Sequence, residues 1–337
     1  MSNHVPVELI HAAGCFPLQL PTGPLPATPH ADRYLGSVAH PQVKSALERL
    51  VRGDFGCVDL LVLPRVDEEL ERLHHAVRTL RCAHGMPLPE PFLYDVAYAP
   101  WGASTEHSHA SLLALKCRLE ALAGRPTDDA TLRASIRVYN EVRGRLGRLV
   151  ARRRERACRL DGCTAVEVFT AVQRLRPEAA CEALDRMLTV TGDVAPGTRT
   201  LLIGSAHDTP ALHRMIARAG GQVVGDHHWR GELLLGPAID ERLPPLRALC
   251  SHYHGRAESS RTFPSNNEAL VTFAKQVGAE AAVFFYYPAD GAHTWDYAAQ
   301  SEALSASGIP SIALEQQGYP PVGEVEDTLR RFFEALR

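Results

Sequence analysis

The chain has 337 residues, 45% of them apolar and 22% charged, with a formal net charge of −3. That is ordinary globular usage, and the length suggests two domains that can each bury a core. The charge balance gives no footprint for nucleic acid or an anionic membrane, no apolar run reaches the roughly 18 residues of a spanning helix, and the first residues lack the basic and apolar regions of a signal peptide, so a soluble cytoplasmic protein is expected.

Residues 5–30 are rich in proline and read as an irregular leader with a short structured piece. Pro41 to Val51 has a helical pattern, Cys57 to Pro64 reads as a strand, and Asp67 to Leu80 as a helix with Leu70, Leu73, Val77 and Leu80 on one face. Pro91 to Tyr98 reads as a second strand, which completes a first α/β unit. Ser108 to Leu122 and Asp128 to about Ala157 are expected as helices. Thr127 is the expected N-cap of the second, which carries Leu132, Ile136, Tyr139, Val142, Leu146 and Leu149 as its apolar stripe. Residues 158–190 continue the helical character. Thr200 to Gly204 opens a second α/β unit as a strand, followed by a helix at Pro210–Ala219, a Gly220-Gly221 stop, a strand at Gln222–Gly225 and a helix at about 267–277.

The stretch from Ala279 to Gln316 organises that second unit. Ala281–Tyr287 is a continuous apolar and aromatic run, as expected of a strand buried on both faces. Turn residues follow at Pro288–Ala292, then a helix over roughly Trp295–Ser307, a Gly308–Pro310 stop and a strand at Ser311–Glu315. An amphipathic helix at Glu326–Leu336 ends the pattern. The expected architecture is α/β: two Rossmann-like, flavodoxin-like parallel-sheet domains, at 1–105 and 196–337, joined by a helical region at 106–195. Ligands in open α/β sheets sit outside the carboxyl ends of the strands, so the loop Pro288–His293 is the first place to look for chemistry.

Eight cysteines are scattered with no CxxC pair and read mostly as small buried hydrophobes. Arg152–Arg156 beside Cys158 and Cys163 is either a phosphate-recognising run or a solvated helix face. Asp226-His227-His228-Trp229 is the densest polar aromatic cluster, although neighbouring strand side chains point opposite ways, against a metal site. Gly204–Asp208 is not a GxSxG elbow, yet Ser205 and the backbone amides after it can hold a phosphate or carboxylate. Asn266 either lines the same edge or belongs to a helix cap, and Glu315, at a strand end, is either a general base or a structural acceptor.

The order of these pieces resembles the 2-hydroxyacyl-CoA dehydratase family, which includes benzoyl-CoA reductase subunits. The likeness rests on Val5–Gly14, on Leu119–Thr127 with Leu132, Tyr139, Asn140 and Arg143, on Leu201–Gly204 through Gly221–Val224 and Asp226, and on Gly308–Pro310 with Leu314 and Glu315. It implies an iron–sulfur cluster held by three cysteines per subunit. The positions it implies carry His40, Val66 and Ala289 here, while the aspartates that follow the last two, Asp67 and Asp290, remain. Thr328 and Gln317 also depart from the family pattern, where it has an arginine and an acid. Valine and alanine cannot ligate iron, so no metal and no cofactor is expected on this chain, and a [4Fe-4S] cluster is expected only on a partner subunit.

The leading expectation is therefore a cluster-free subunit paired with a cluster-bearing homologue, or with itself, around an acyl-CoA-type ligand. A pocket is expected at His40, Val66, Asp67, Ala289 and Asp290, with Ser205, Asn266 and Trp295 on the substrate and Tyr286, Tyr287 or Trp295 filling the space left by the lost thiolates. One alternative is an iron-free lyase or hydrolase on a thioester, with His40, His207, His228 and Glu315 as acid–base candidates. Another is a non-catalytic ligand-binding or regulatory protein on the same sheets.

Overall fold

The computed structural model describes residues 3–97, 101–155, 160–190, 194–234, 236–254 and 267–337. Contacts divide the chain into two units, each assembled from separated stretches. The first comprises Met1–Gly144, Gln173–Cys181 and Gly236–Arg261, and the second Arg145–Val172, Glu182–Leu235 and Thr262–Arg337.

In the first unit, helices α1 (Val7–Ala12), α2 (Pro29–Leu35) and α3 (Pro41–Arg52) precede strand β1 (Leu60–Pro64), helix α4 (Glu68–Cys82) and strand β2 (Glu90–Tyr94). Local chemistry sets the ends of α3: Pro41 stands in its first turn, the His40 ring accepts from the Gln42 N–H, and Gly53 closes it at φ 84°. Asp67 caps α4 by accepting from the Leu70 N–H at 2.7 Å, with Glu68, Glu69 and Glu71 at the positive helix end. β1 and β2 pair in parallel from Leu60 opposite Glu90 to Pro64 opposite Tyr94. Alternate residues of β1 serve two cores. Leu61 and Leu63 pack with α3 and α4, and Leu60 and Val62 pack against the cluster of Leu112, Leu115, Leu119, Leu132 and Ile136.

Both strands are shorter than the sequence pattern suggests. Cys57 and Val58 belong to a turn in which the Val58 N–H donates to the Phe55 carbonyl. β2 leaves the sheet after Tyr94 because the Asp95 and Ala97 amides donate to the hydroxyls of Ser111 and Ser108 on α5 (Gly102–Ala123). That helix starts six residues before the expected Ser108, through exposed polar turns with no apolar period. Helix α6 (Asp129–Arg154) is capped by Asp128, not Thr127: the Thr131 N–H donates to Asp128 at 2.8 Å, whereas the Thr127 N–H goes to Glu120 at 2.6 Å. The helical character expected over residues 158–190 is carried by two helices, α7 (Gly162–Val172) and α8 (Pro177–Thr189).

The second unit holds β3 (Thr198–Gly204), α9 (Ala211–Arg218), β4 (Gly221–His227), a 3-10 turn at Glu232–Leu234, then, after α10 (Pro245–His254) of the first unit, α11 (Asn267–Gln276), β5 (Ala281–Phe285), α12 (Gly291–Ala306), β6 (Ser311–Leu314) and α13 (Gly323–Glu334). The strands pair in parallel in the order β4-β3-β5-β6. Leu202, Val223, Phe285 and Tyr287 face α9 and α13, while Leu201, Val224, Phe284 and Tyr286 face α11 and α12. Every residue of β5 is fully buried, as its unbroken apolar run predicts. Chain order reverses between β3 and β5, so the crevice at their carboxyl ends is the switch point where ligands of such sheets bind.

Candidate functional site

Two features build the carboxyl edge of this sheet. The first is a clasp between β3 and the loop after β5. β3 ends at Gly204, whose φ of 106° and close neighbours require glycine: a Cβ there would lie 2.5 Å from the Phe285 carbonyl oxygen and 2.8 Å from the Tyr286 ring. Beyond it, the Ser205 N–H donates to the Phe285 carbonyl at 2.9 Å, and the Ser205 hydroxyl accepts from the Tyr287 N–H at 2.9 Å while donating to the Asp290 carboxylate. Ala289 stands in the left-handed region at φ 66°. Asp290 occupies the N-cap position of α12 but makes no capping hydrogen bond, since its carboxylate is turned to Ser205, with the His293 ring 3.7 Å away.

The second feature is a buried polar cluster beside the clasp. Asp226 at the end of β4 accepts from the His213 ring at 2.6 Å and pairs with Arg153 at 2.8 Å, and the His228 ring lies 3.7 Å away. Arg153, fully buried, also reaches Glu232 at 3.5 Å and donates to the Val223 carbonyl at 3.0 Å. Arg154 pairs with Glu232 at 2.9 Å. Burial disfavours the Asp226 charge, but Arg153 and His213 outweigh it and hold that carboxyl well below the carboxylate range. Glu232 is pushed up by its burial, against the pull of Arg153. His207 stands among the rings of His213, His228, Phe285 and Tyr287 at centroid distances of 4.9–5.9 Å. Burial, with His228 and His213 nearby, holds His207 neutral, well below the usual histidine value. His228 is lowered by burial as well, and His227 is lowered to about 4 by burial, His228 and His293.

The structure therefore brings Ser205 together with Asp290, and His207 with His228. Ser205 is 1% exposed and occupied on both sides of its hydroxyl. Glu315 is exposed just past β6, and Trp295 on α12 is 87% exposed. His40, Val66 and Asp67 lie in the first unit, with His40 and Asp67 as helix caps and Val66 buried in the core with Val43 and Leu70. Asn266 falls outside the described residues. Tyr286 and Tyr287 pack in the cores on opposite faces of the second sheet. Among the described residues, no group of three or more His, Cys, Asp or Glu side chains is arranged to hold a metal ion.

His213 and Glu232 were not singled out in the sequence, and Arg153 only as a member of the basic run. Arg153 did leave a signal: it continues the apolar stripe of Leu146 and Leu149 at helical spacing, where a solvated arginine does not belong. Elsewhere in the described basic run, half-buried Arg152 donates to the carbonyls of Met187, Leu188 and Val190, and Arg154, at the surface, donates to Glu232.

The segments carrying the resemblance in the first unit meet in one network. Buried Glu8 on α1 pairs with Arg143 of α6 and accepts from the Tyr253 hydroxyl at 2.7 Å. Burial alone would raise the Glu8 carboxyl, but Arg143 brings it below its ordinary value. Asn140 exchanges bonds with Ile239, donating to its carbonyl and accepting from its N–H, both at 2.9 Å. Gly14, at φ 86°, is covered by the Arg125 guanidinium, whose Cζ would lie 2.9 Å from any Cβ added there. These motif residues thus anchor α1 and the loop before α10 to α6.

No helix among the described residues is long and apolar enough to cross a membrane. No curated protein matches the chain. The family model described as 2-hydroxyglutaryl-CoA dehydratase, D-component, matches residues 2–336. The chain belongs to that family, and its description is that of one component of an enzyme of several parts.

Proposed function

We propose that this protein is a cluster-free subunit of a 2-hydroxyacyl-CoA dehydratase- or reductase-type complex, paired in the cytoplasm with a homologue that bears an iron–sulfur cluster. What supports the reading is the donor set at the positions that the family resemblance implies for the cluster. Val66 and Ala289 offer an isopropyl and a methyl group. His40 offers a ring whose Nδ1 already accepts from the Gln42 N–H at 3.3 Å. A cubane needs thiolates or close substitutes, so these residues do not fit it, and no step is routed through iron on this chain. The aspartates that adjoin two of the positions keep structural roles, Asp67 as the cap of α4 and Asp290 as the acceptor of the Ser205 hydroxyl. Retained architecture with lost ligands suits a subunit that shapes the acyl-CoA pocket or supports its partner.

Anaerobic coexpression with a homologue that keeps all three cysteines tests this. The two chains are expected to copurify, with iron and acid-labile sulfide stoichiometric to the homologue alone. A chain that stays monomeric beside every such homologue, or that carries a full cluster by itself, overturns the reading.

A further inference from the structure

Tyr286 extends a strand that uses phenylalanine where only packing is at stake, at Phe284 and Phe285. Its ring fills the space that the missing Cβ of Gly204 leaves open. Its backbone is fixed between two segments, the N–H donating to the Leu314 carbonyl at 2.9 Å and the carbonyl accepting from the Gln317 N–H at 3.0 Å. The residue is 1% exposed, and among the described residues its hydroxyl has no hydrogen-bond partner. A buried hydroxyl without a partner costs about 1–3 kcal/mol, which phenylalanine would spare at the same shape. The ring edge lies against Gly204 at the carboxyl end of β3, and the phenol feels the charges of Asp290, Asp296 and Glu315, with Tyr297 also near. Those carboxylates repel an anionic ligand atom, and burial with their charges keeps the phenol protonated, hence a neutral donor.

We propose that the Tyr286 hydroxyl is a ligand-contacting group that donates a hydrogen bond to an uncharged carbonyl oxygen of the bound molecule. This rests on the acyl-CoA reading above. Such a ligand offers two sources of that oxygen, the thioester carbonyl and the amide carbonyls of the pantetheine arm.

The test is calorimetric titration of acetyl-coenzyme A and of free coenzyme A into wild type and Tyr286→Phe, each measured as the chain alone and copurified with a cluster-bearing homologue, alongside thermal unfolding. Tyr286→Phe is expected to unfold at the same temperature or higher, and to lose about three- to tenfold in affinity, the range of one neutral hydrogen bond. A loss confined to acetyl-coenzyme A assigns the bond to the thioester carbonyl; an equal loss for both assigns it to the pantetheine arm. Unchanged affinities in the variant overturn the proposal and leave the acyl-CoA reading standing. A variant that unfolds several degrees lower also overturns it, because the hydroxyl then serves the fold. Wild type that binds neither probe overturns both.

Discussion

Replacing Arg153 by methionine removes a charge from the centre of the second unit's polar cluster while keeping a long apolar side chain. The guanidinium and the Asp226 carboxylate are both fully buried and 2.8 Å apart, so solvent does not soften the loss. Breaking a buried pair on one side costs about 3–5 kcal/mol, because the other charge stays behind uncompensated. His213 remains on Asp226 at 2.6 Å and Arg154 on Glu232 at 2.9 Å, which places the expectation at about 3–4 kcal/mol. In folding units of roughly 150–250 residues that is a fall of about 6–16 °C in midpoint. The wild-type Asp226 carboxyl lies well below 3.8, so its contribution is complete above that value and disappears only as the pH falls through the depressed one. In Arg153→Met the stranded carboxylates of Asp226 and Glu232 rise instead, so the destabilisation is larger at pH 7 than at pH 5. Urea unfolding followed by circular dichroism at both pH values measures this, and adding Asp226→Asn with Glu232→Gln should recover at least half of the loss. A single variant within 1 kcal/mol of wild type (about a fivefold change in the folding constant), or a triple variant less stable than the single, would refute the idea of a closed network.

Ser205→Ala leaves the Tyr287 N–H and the Asp290 carboxylate without their shared hydroxyl and should cost about 1–3 kcal/mol; hydrogen exchange at the Tyr287 amide is expected to accelerate, and unchanged protection would show that the clasp holds nothing. Gly14→Ala must adopt a positive φ and displace Arg125, so a loss of about 1–2 kcal/mol or more is expected, and an unshifted thermal midpoint contradicts it. The unfolded His227 takes up a proton near 6.5 and the folded one only at about 4, so its burial lowers stability as the pH falls through that window. His227→Phe, packed on the Phe273 ring, should flatten the decline between pH 7 and 5, and an unaltered slope excludes it.

Features that announce themselves over a few residues were readable in the sequence: the run at Ala281–Phe285, the Gly308–Pro310 stop and the stripe of α6. Strand lengths were not, because β2 is ended by two serines of α5 that satisfy its backbone, and nothing between 91 and 98 encodes that. At the candidate site, Ser205 and the 226–228 cluster could be picked out from their place after strands. Their partners could not: Arg153 stands 73 residues before Asp226 in the chain and looked like one more member of a basic run. The role of Ser205 was equally hidden, since a hydroxyl after a strand reads as a ligand for a phosphate or carboxylate until Asp290 and the Tyr287 amide are seen on it.

The two units trade stretches of chain, and that governs their synthesis on the ribosome. The parallel pair β1–β2 is complete once Tyr94 is made, but a two-stranded sheet is marginal without its cover. Part of that cover is Tyr253 and Leu249 of α10, the former closing on Glu8. At about 5–20 residues per second, the ribosome needs roughly 8–32 s to travel between those points. For that interval the part of the first core that Leu249 and Tyr253 cover has only the rest of the nascent chain to shield it from water.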